Sequence, residues 1–258
     1  MLIEDFIEIG KVHSESRRFK EKWDKAVMLS AEQLASHENA YVSCSGGKDS
    51  NVLVYLVAEA ARLAGKQFRV WSHISDASFP GTEEVVREVC KTVSVELDVY
   101  RCPYSAFEKI AADKQKRAFG KNGAFFDSVR EYAKDKDLNF TGVRAFESKR
   151  RMKAAKVKGQ TFRSESMGHV DCCYPLLWFR LEDIAAATYK YNIPIHPIYA
   201  KQPLDLGKNA NGEDKFIRLG YITSRDLLDK GTAVFLQHNY PDIFNKLLAA
   251  FPDLRNFT

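Results

Sequence analysis

Cysteine is scarce in this sequence, and it never falls in the spacing that metals or redox chemistry use. The five are Cys44, Cys90, Cys102, Cys172 and Cys173. An odd number without a C-x-x-C pair argues against a disulfide framework, so no zinc or iron–sulfur cofactor is expected. No apolar run approaches the length that crosses a membrane. The opening residues Met1, Leu2, Ile3, Glu4 and Asp5 carry acids where a signal peptide would be basic, so a cytoplasmic protein with no membrane partner is expected. Charge of one sign is also in short supply. Lys and Arg number 39 against 34 Asp and Glu, an excess too mild to imply nucleic acid, so only local clustering carries that information.

What is present is a chain of 258 residues with 45% hydrophobic content, enough for one good core with or without an accessory lobe. Its most informative stretch is Ser45-Gly46-Gly47-Lys48-Asp49-Ser50, set between an apolar run ending at Cys44 and an amphipathic run from Asn51. Two glycines let the backbone turn sharply, and the helix that follows presents unsatisfied N–H groups and the positive end of its dipole, a cradle for phosphate. A Walker A loop needs longer glycine spacing and Lys followed by Ser or Thr; here Lys48 precedes Asp49. The plain alternative is a turn with a helix cap.

Around this loop the pattern alternates. Residues 3–38 read as a packing helix through Phe19, Trp23, Ala26, Val27, Ser30 and Leu34, and nothing assigns His13 a role. Residues 40–44, 68–74, 95–100 and 138–141 read as strands. Gly65 closes the helix after the loop, and a Thr of capping type at Thr82 opens the next. Repeated strand, loop and helix predict an α/β fold: an open, mainly parallel, five-stranded sheet with helices on both faces and helical N- and C-terminal extensions. The expected division is residues 1–38, 39–200 and 201–258. Asp76 stands just past the second strand, where ligands bind in open parallel sheets, with an Asx turn as the bland alternative. Residues 103–136 read as helices broken at Gly120 and Gly123, with Lys109, Lys114, Lys116, Arg117 and Lys121 on a solvated face.

A second constellation follows the fourth strand: Gly142, Arg144, Glu147, Ser148, Arg150 and Arg151. Arginine's planar fork suits phosphate through bidentate, charge-assisted bonds. Then come Lys149, Arg150, Arg151, Lys153, Lys156, Lys158 and Arg163 with no acid until Glu165. This run reads as a lid over nucleotide phosphates, as a patch for nucleic acid or a protein partner, or as a plain basic surface.

The hexapeptide resembles the SGGxDS loop of the PP-loop ATP pyrophosphatases, and the second constellation resembles the G-x-R-x-x-E-S-x-x-R segment of their phosphoadenosine phosphosulfate (PAPS) reductase branch. Three further stretches are similar to that branch: Asp76 with Pro80, Gly81 and Thr82; Pro175, Leu176 and Trp178 with Asp183 and Ile184; and Pro194, Pro197 and Tyr199. The resemblance covers about 40 to about 225 and implies an adenine nucleotide, ATP or PAPS, at Ser45, Gly46, Gly47, Lys48, Asp49, Ser50, Asp76, Gly142 and Arg144. It also implies catalysis by Lys48, Asp49, Arg144 and Arg150, and Mg²⁺ at Asp49 or Asp76. The sequence departs where reductases carry cysteine. Tyr221 and Ser224 stand at those positions, and no cysteine follows Cys173. Neither Tyr nor Ser replaces a thiolate at neutral pH. Adjacent Cys172 and Cys173 point to opposite faces of a strand, with packing the expected role. The leading expectation is adenylyl transfer from ATP with release of pyrophosphate. Its alternatives are a PAPS- or adenosine phosphosulfate-dependent sulfur chemistry and a nucleotide-responsive regulator or subunit of a nucleic-acid-modifying assembly. The acceptor is unspecified, as is a homo-oligomeric or other protein partner.

Overall fold

A computed structural model describes residues 1–115, 124–202, 205–217, 219, 232–252 and 255. The expected breaks at Gly120 and Gly123 lie outside the described residues, as do Lys116, Arg117, Lys121, Tyr221, Ser224, Leu227 and Leu228.

The N-terminal stretch forms two helices rather than one, α1 (Ile3–Ser14) and α2 (Arg17–Ala35). Ser16 breaks the run because its hydroxyl accepts the Phe19 N–H, the geometry of an N-cap. After β1 (Ala40–Ser43) come α3 (Lys48–Ala64), β2 (Arg69–Ile74), α4 (Thr82–Val93), β3 (Glu96–Arg101), α5 (Ala106–Gln115), α6 (Ala124–Tyr132) and β4 (Leu138–Thr141). Gly65 ends α3 in the left-handed region as expected. Thr82 is not a cap. Gly81 holds that position, and the Thr82 hydroxyl donates to the Phe79 carbonyl 2.7 Å away.

The basic run after Ser148 is regular structure: α7 (Lys149–Lys158) and β5 (Thr161–Ser164), followed by β6 (Val170–Cys173). The sheet therefore has six strands in the order β3-β2-β1-β4-β6-β5, parallel except for β5, which pairs antiparallel with β6. The sixth strand escaped the apolar pattern because an edge strand of four residues needs only one buried face; of its residues only Ser164 is fully buried. Cys172 and Cys173 enter separate apolar clusters on opposite faces. Then come α8 (Leu181–Lys190), α9 (Thr232–Asn239) and α10 (Pro241–Ala250).

One apolar cluster runs from Phe6 and Trp23 through Val52, Leu56 and Val70 to Phe244 and Leu247, so the N-terminal helices share the core of the sheet. Gly10 lets α1 lie directly on α8. A Cβ there would stand 2.4 Å from the Ala185 carbonyl oxygen. Within the described residues no helix is long and apolar enough to cross a membrane.

Candidate functional site

The turn from β1 into α3 has the conformation its glycines permit. Gly46 sits at φ +74°, a region that costs any other L-residue energy, and Gly47 is the N-cap of α3, so the N-cap position itself supplies no capping side chain. The first-turn N–H groups thus face a cleft, and one of them, on Lys48, donates to the Tyr199 hydroxyl at 3.2 Å. Two residues make the turn rigid. The Ser50 hydroxyl donates to the Gly47 carbonyl at 2.9 Å and accepts the Ser45 N–H at 3.2 Å. Asn51, wholly buried, donates to the carbonyls of Gly46 and Pro194 at 3.2 and 2.9 Å.

Beside the turn lies a largely buried charge network. Asp49 is bonded to the Lys48 ammonium and to Arg144 Nε. Arg144, only 2% exposed, reaches with Nη1 to both carboxylate oxygens of Glu213 at 2.9 and 3.0 Å. Glu213 in turn accepts the Leu181 N–H at the start of α8, 3.0 Å away. Burial would raise the Asp49 carboxyl, but Lys48 and Arg144 hold it well below the usual carboxylate range. Burial pushes the Lys48 ammonium down, and Asp49 only partly offsets it. The Arg144 guanidinium is raised despite its burial, because Asp49 and Glu213 flank it.

Most of the expected residues meet in one place. Ser45, Gly47, Lys48, Asp49, Ser50, Gly142, Arg144 and Arg150 line a cleft of about 790 Å³ at the carboxyl ends of β1 and β4. Gly142 stands where a Cβ would approach the Asp49 carbonyl oxygen to 3.1 Å, which lets β4 close on the first turn of α3. Gly46 shapes the turn without lining the cleft. Asp76 does not itself line the cleft, although its neighbours Ser75 and Ala77 do. Its carboxylate accepts the Ser105 hydroxyl at 2.6 Å and the Ala106 N–H at 2.9 Å, capping α5. Both expected Mg²⁺ ligands already accept protein donors, Asp49 from Lys48 and Arg144 and Asp76 from Ser105 and Ala106, so a metal there would have to share or displace those bonds.

Arg144 is likewise placed as a strut between two carboxylates rather than as a free phosphate ligand. The cations that line the cleft without an ion pair among the described residues are Lys149, Arg150 and Lys215. Arg151 pairs with Glu147. The stretch 205–214 reads in sequence as a polar surface loop, yet its Glu213 is buried, and Asn209, Phe216 and Leu219 wall the cleft beside Tyr199. Nothing in the local pattern marks Glu213 as buried, because its partner stands 69 residues away. Asn51 carried a signal: a polar residue at a position where α3 turns to the core.

The family model described as phosphoadenosine phosphosulfate reductase domain matches residues 39–225. FMN adenylyltransferase from Candida glabrata, solved with FAD and inorganic pyrophosphate, is similar with TM-score 0.54 and 15% identity over 76% of this chain and 67% of that one. U34-tRNA thiolase from Methanococcus maripaludis, solved with its 4Fe–4S cluster, gives TM-score 0.54 and 14% identity over 94% and 82%. Yeast FAD synthetase in complex with FAD gives 0.50 and 18% over 77% and 70%. Identities this low establish the fold alone. No curated protein matches the chain in sequence.

Proposed function

The chain belongs to the phosphoadenosine phosphosulfate reductase domain family, and from that membership we propose that it is an enzyme that binds ATP in this cleft and transfers the adenylyl group to an acceptor. The observation that carries the reading is the N-terminus of α3, reached through Gly46 and Gly47, where the N-cap residue has no side chain to cap it and one N–H meets the Tyr199 hydroxyl. An acceptor oxygen bonds to the α-phosphorus, the bond from that phosphorus to the bridging oxygen breaks, and pyrophosphate leaves with the electron pair. Arg150 and Lys215 offset the charge on the leaving group, together with the α3 N–H groups. Lys48, Asp49 and Arg144, bonded to one another in the wall of the cleft, fix the first turn of α3. FMN adenylyltransferase, solved with FAD and inorganic pyrophosphate, shows that this fold can host such a reaction.

A sulfur route through a protein thiol is less well supported. Burial pushes Cys172 up to about 11 and Cys173 up to about 12, away from the thiolate such chemistry needs. Cys44, which borders the cleft, is buried and raised too.

Gly47→Asp tests the cradle without damaging the fold. A Cβ at Gly47 meets only ordinary contacts, the nearest at 3.4 Å, and Asp is a favoured N-cap. Its carboxylate would occupy the N–H groups that a phosphate needs. The expected result is an unchanged or raised melting temperature with ATP affinity, read by calorimetry, at least tenfold weaker, about 1.4 kcal/mol. Unaltered ATP affinity in the folded variant would place the nucleotide elsewhere.

A further inference from the structure

The basic run that follows the second constellation is not absorbed by the nucleotide site. Arg150 faces the cleft, but most of α7 lies outside it. Lys149, Lys153 and Lys156 recur at i, i+4 and i+7, a single stripe about 10 Å long on a helix that rises 1.5 Å per residue. All three are exposed, as is Lys158. Among the described residues, ion pairs involve two cations of this run, Arg151 with Glu147 and Arg163 with Asp171. The four lysines form none among the described residues, and no acid stands between Glu147 and Glu165 to neutralise them. A solvated helix face ordinarily interleaves both signs.

Two further observations narrow the partner. The stripe begins at the mouth of the nucleotide cleft, which Lys149 also lines. Aromatic surface adjoins it: Lys158 lies 4.7 Å over the Phe162 ring on β5, the sheet edge. Trp178, next in the chain to the Leu177 that packs with Ala155 of α7, is 38% exposed. Apolar surface is thin by contrast, with Val157 exposed singly among the lysines, so the core that a protein interface needs is missing. Unpaired phosphates on a cationic track with bases beside aromatic rings are the chemistry of a single strand.

We propose that the α7–β5 surface docks single-stranded nucleic acid and leads it to the mouth of the nucleotide cleft. The inference rests on the ATP reading only for what happens at the cleft, since strand binding needs no nucleotide.

The experiment is fluorescence anisotropy with the full chain and 12-nucleotide RNA and DNA oligomers, from 50 to 200 mM salt, without ATP. Four phosphate contacts on a single strand predict log K falling against log salt with a slope of about −2.8, roughly a 50-fold loss across that range. Lys153→Gln with Lys156→Gln should reduce the slope by about 1.4 and leave ATP affinity unchanged. Lys20→Gln with Lys25→Gln on α2 should alter neither. The RNA and DNA arms identify which strand is preferred. Absence of strand binding would overturn the proposal, as would a slope indifferent to Lys153 and Lys156, or tighter binding of duplex DNA or of polyglutamate. Loss of ATP binding with strand binding intact would overturn the ATP reading alone.

Discussion

Arg144 spans two acids that no other side chain could bridge. Its Nε meets Asp49 on α3, and its Nη1 meets Glu213 on the 205–214 segment. Because the Arg144 and Glu213 side chains are 3% and 4% exposed, removing one partner leaves an uncompensated charge away from water, which costs about 3–5 kcal/mol. Glu213→Ala also strips the acceptor from the Leu181 N–H. Its melting temperature should fall by on the order of 10 °C for a chain of this size. Glu213→Gln, which keeps an amide oxygen for one donor, should fall less. Arg144→Lys should resemble Glu213→Ala, because an ammonium lacks the fork that reaches both acids. Equal melting temperatures for wild type and Glu213→Ala would show that the network contributes nothing net.

At the scale of elements, the short helical turn Pro197–Lys201 carries Tyr199 to the α3 N-terminus, and His196 caps it. The His196 Nδ1 accepts the Ile198 N–H at 3.1 Å, so its proton belongs on Nε2, which faces Thr82 Oγ1 at 3.2 Å. Burial pushes this imidazole down to about 4. In the window between that value and the unfolded value near 6.5, the unfolded chain binds a proton that the folded chain does not. Stability therefore falls as pH drops from about 6.5 to about 4, by roughly 3 kcal/mol from this residue. His196→Asn, whose carbonyl oxygen can still accept the Ile198 N–H, should flatten that decline in urea unfolding at pH 7.5, 5.5 and 4.5. His73, also lowered to about 4 by burial, retains its own share. A His196→Asn profile parallel to wild type would mean that His196 protonates in the fold at no cost.

Elements with a strong local signature were legible. The glycine turn, the parallel strands and the Gly65 cap follow from period and backbone chemistry acting within a few residues. β5 was not, because Arg163 and Thr161 face solvent on an edge strand, so that its pattern matches a loop. Asp76 and Arg144 show the same limit at the site. Sequence places both at strand ends, but whether a carboxylate or guanidinium is free depends on Ser105 and Glu213, partners set by tertiary packing.

For the whole molecule, the family match begins at residue 39, yet the core does not. Trp23 donates to Glu59 at 2.9 Å and stacks on Tyr191 at 4.7 Å. His13 and Lys22 both bond Asp183, which is 1% exposed at the start of α8. Burial alone would raise that carboxyl, and Lys22 and His13 hold it down. A chain of residues 39–258 would expose the apolar faces of α3 and α8 and strip Asp183 of its His13 and Lys22 partners, leaving the Arg180 N–H. It should lose near-ultraviolet circular dichroism and bind a hydrophobic dye while keeping helical signal. Gly10→Ala gives a gentler form of the same test. Its Cβ meets the Ala185 carbonyl, an overpacking cost of about 1–3 kcal/mol, at a position outside the nucleotide cleft. That variant should unfold earlier in urea yet bind ATP like the parent, whereas an unchanged midpoint for 39–258 would make the first two helices an ornament on an independent domain.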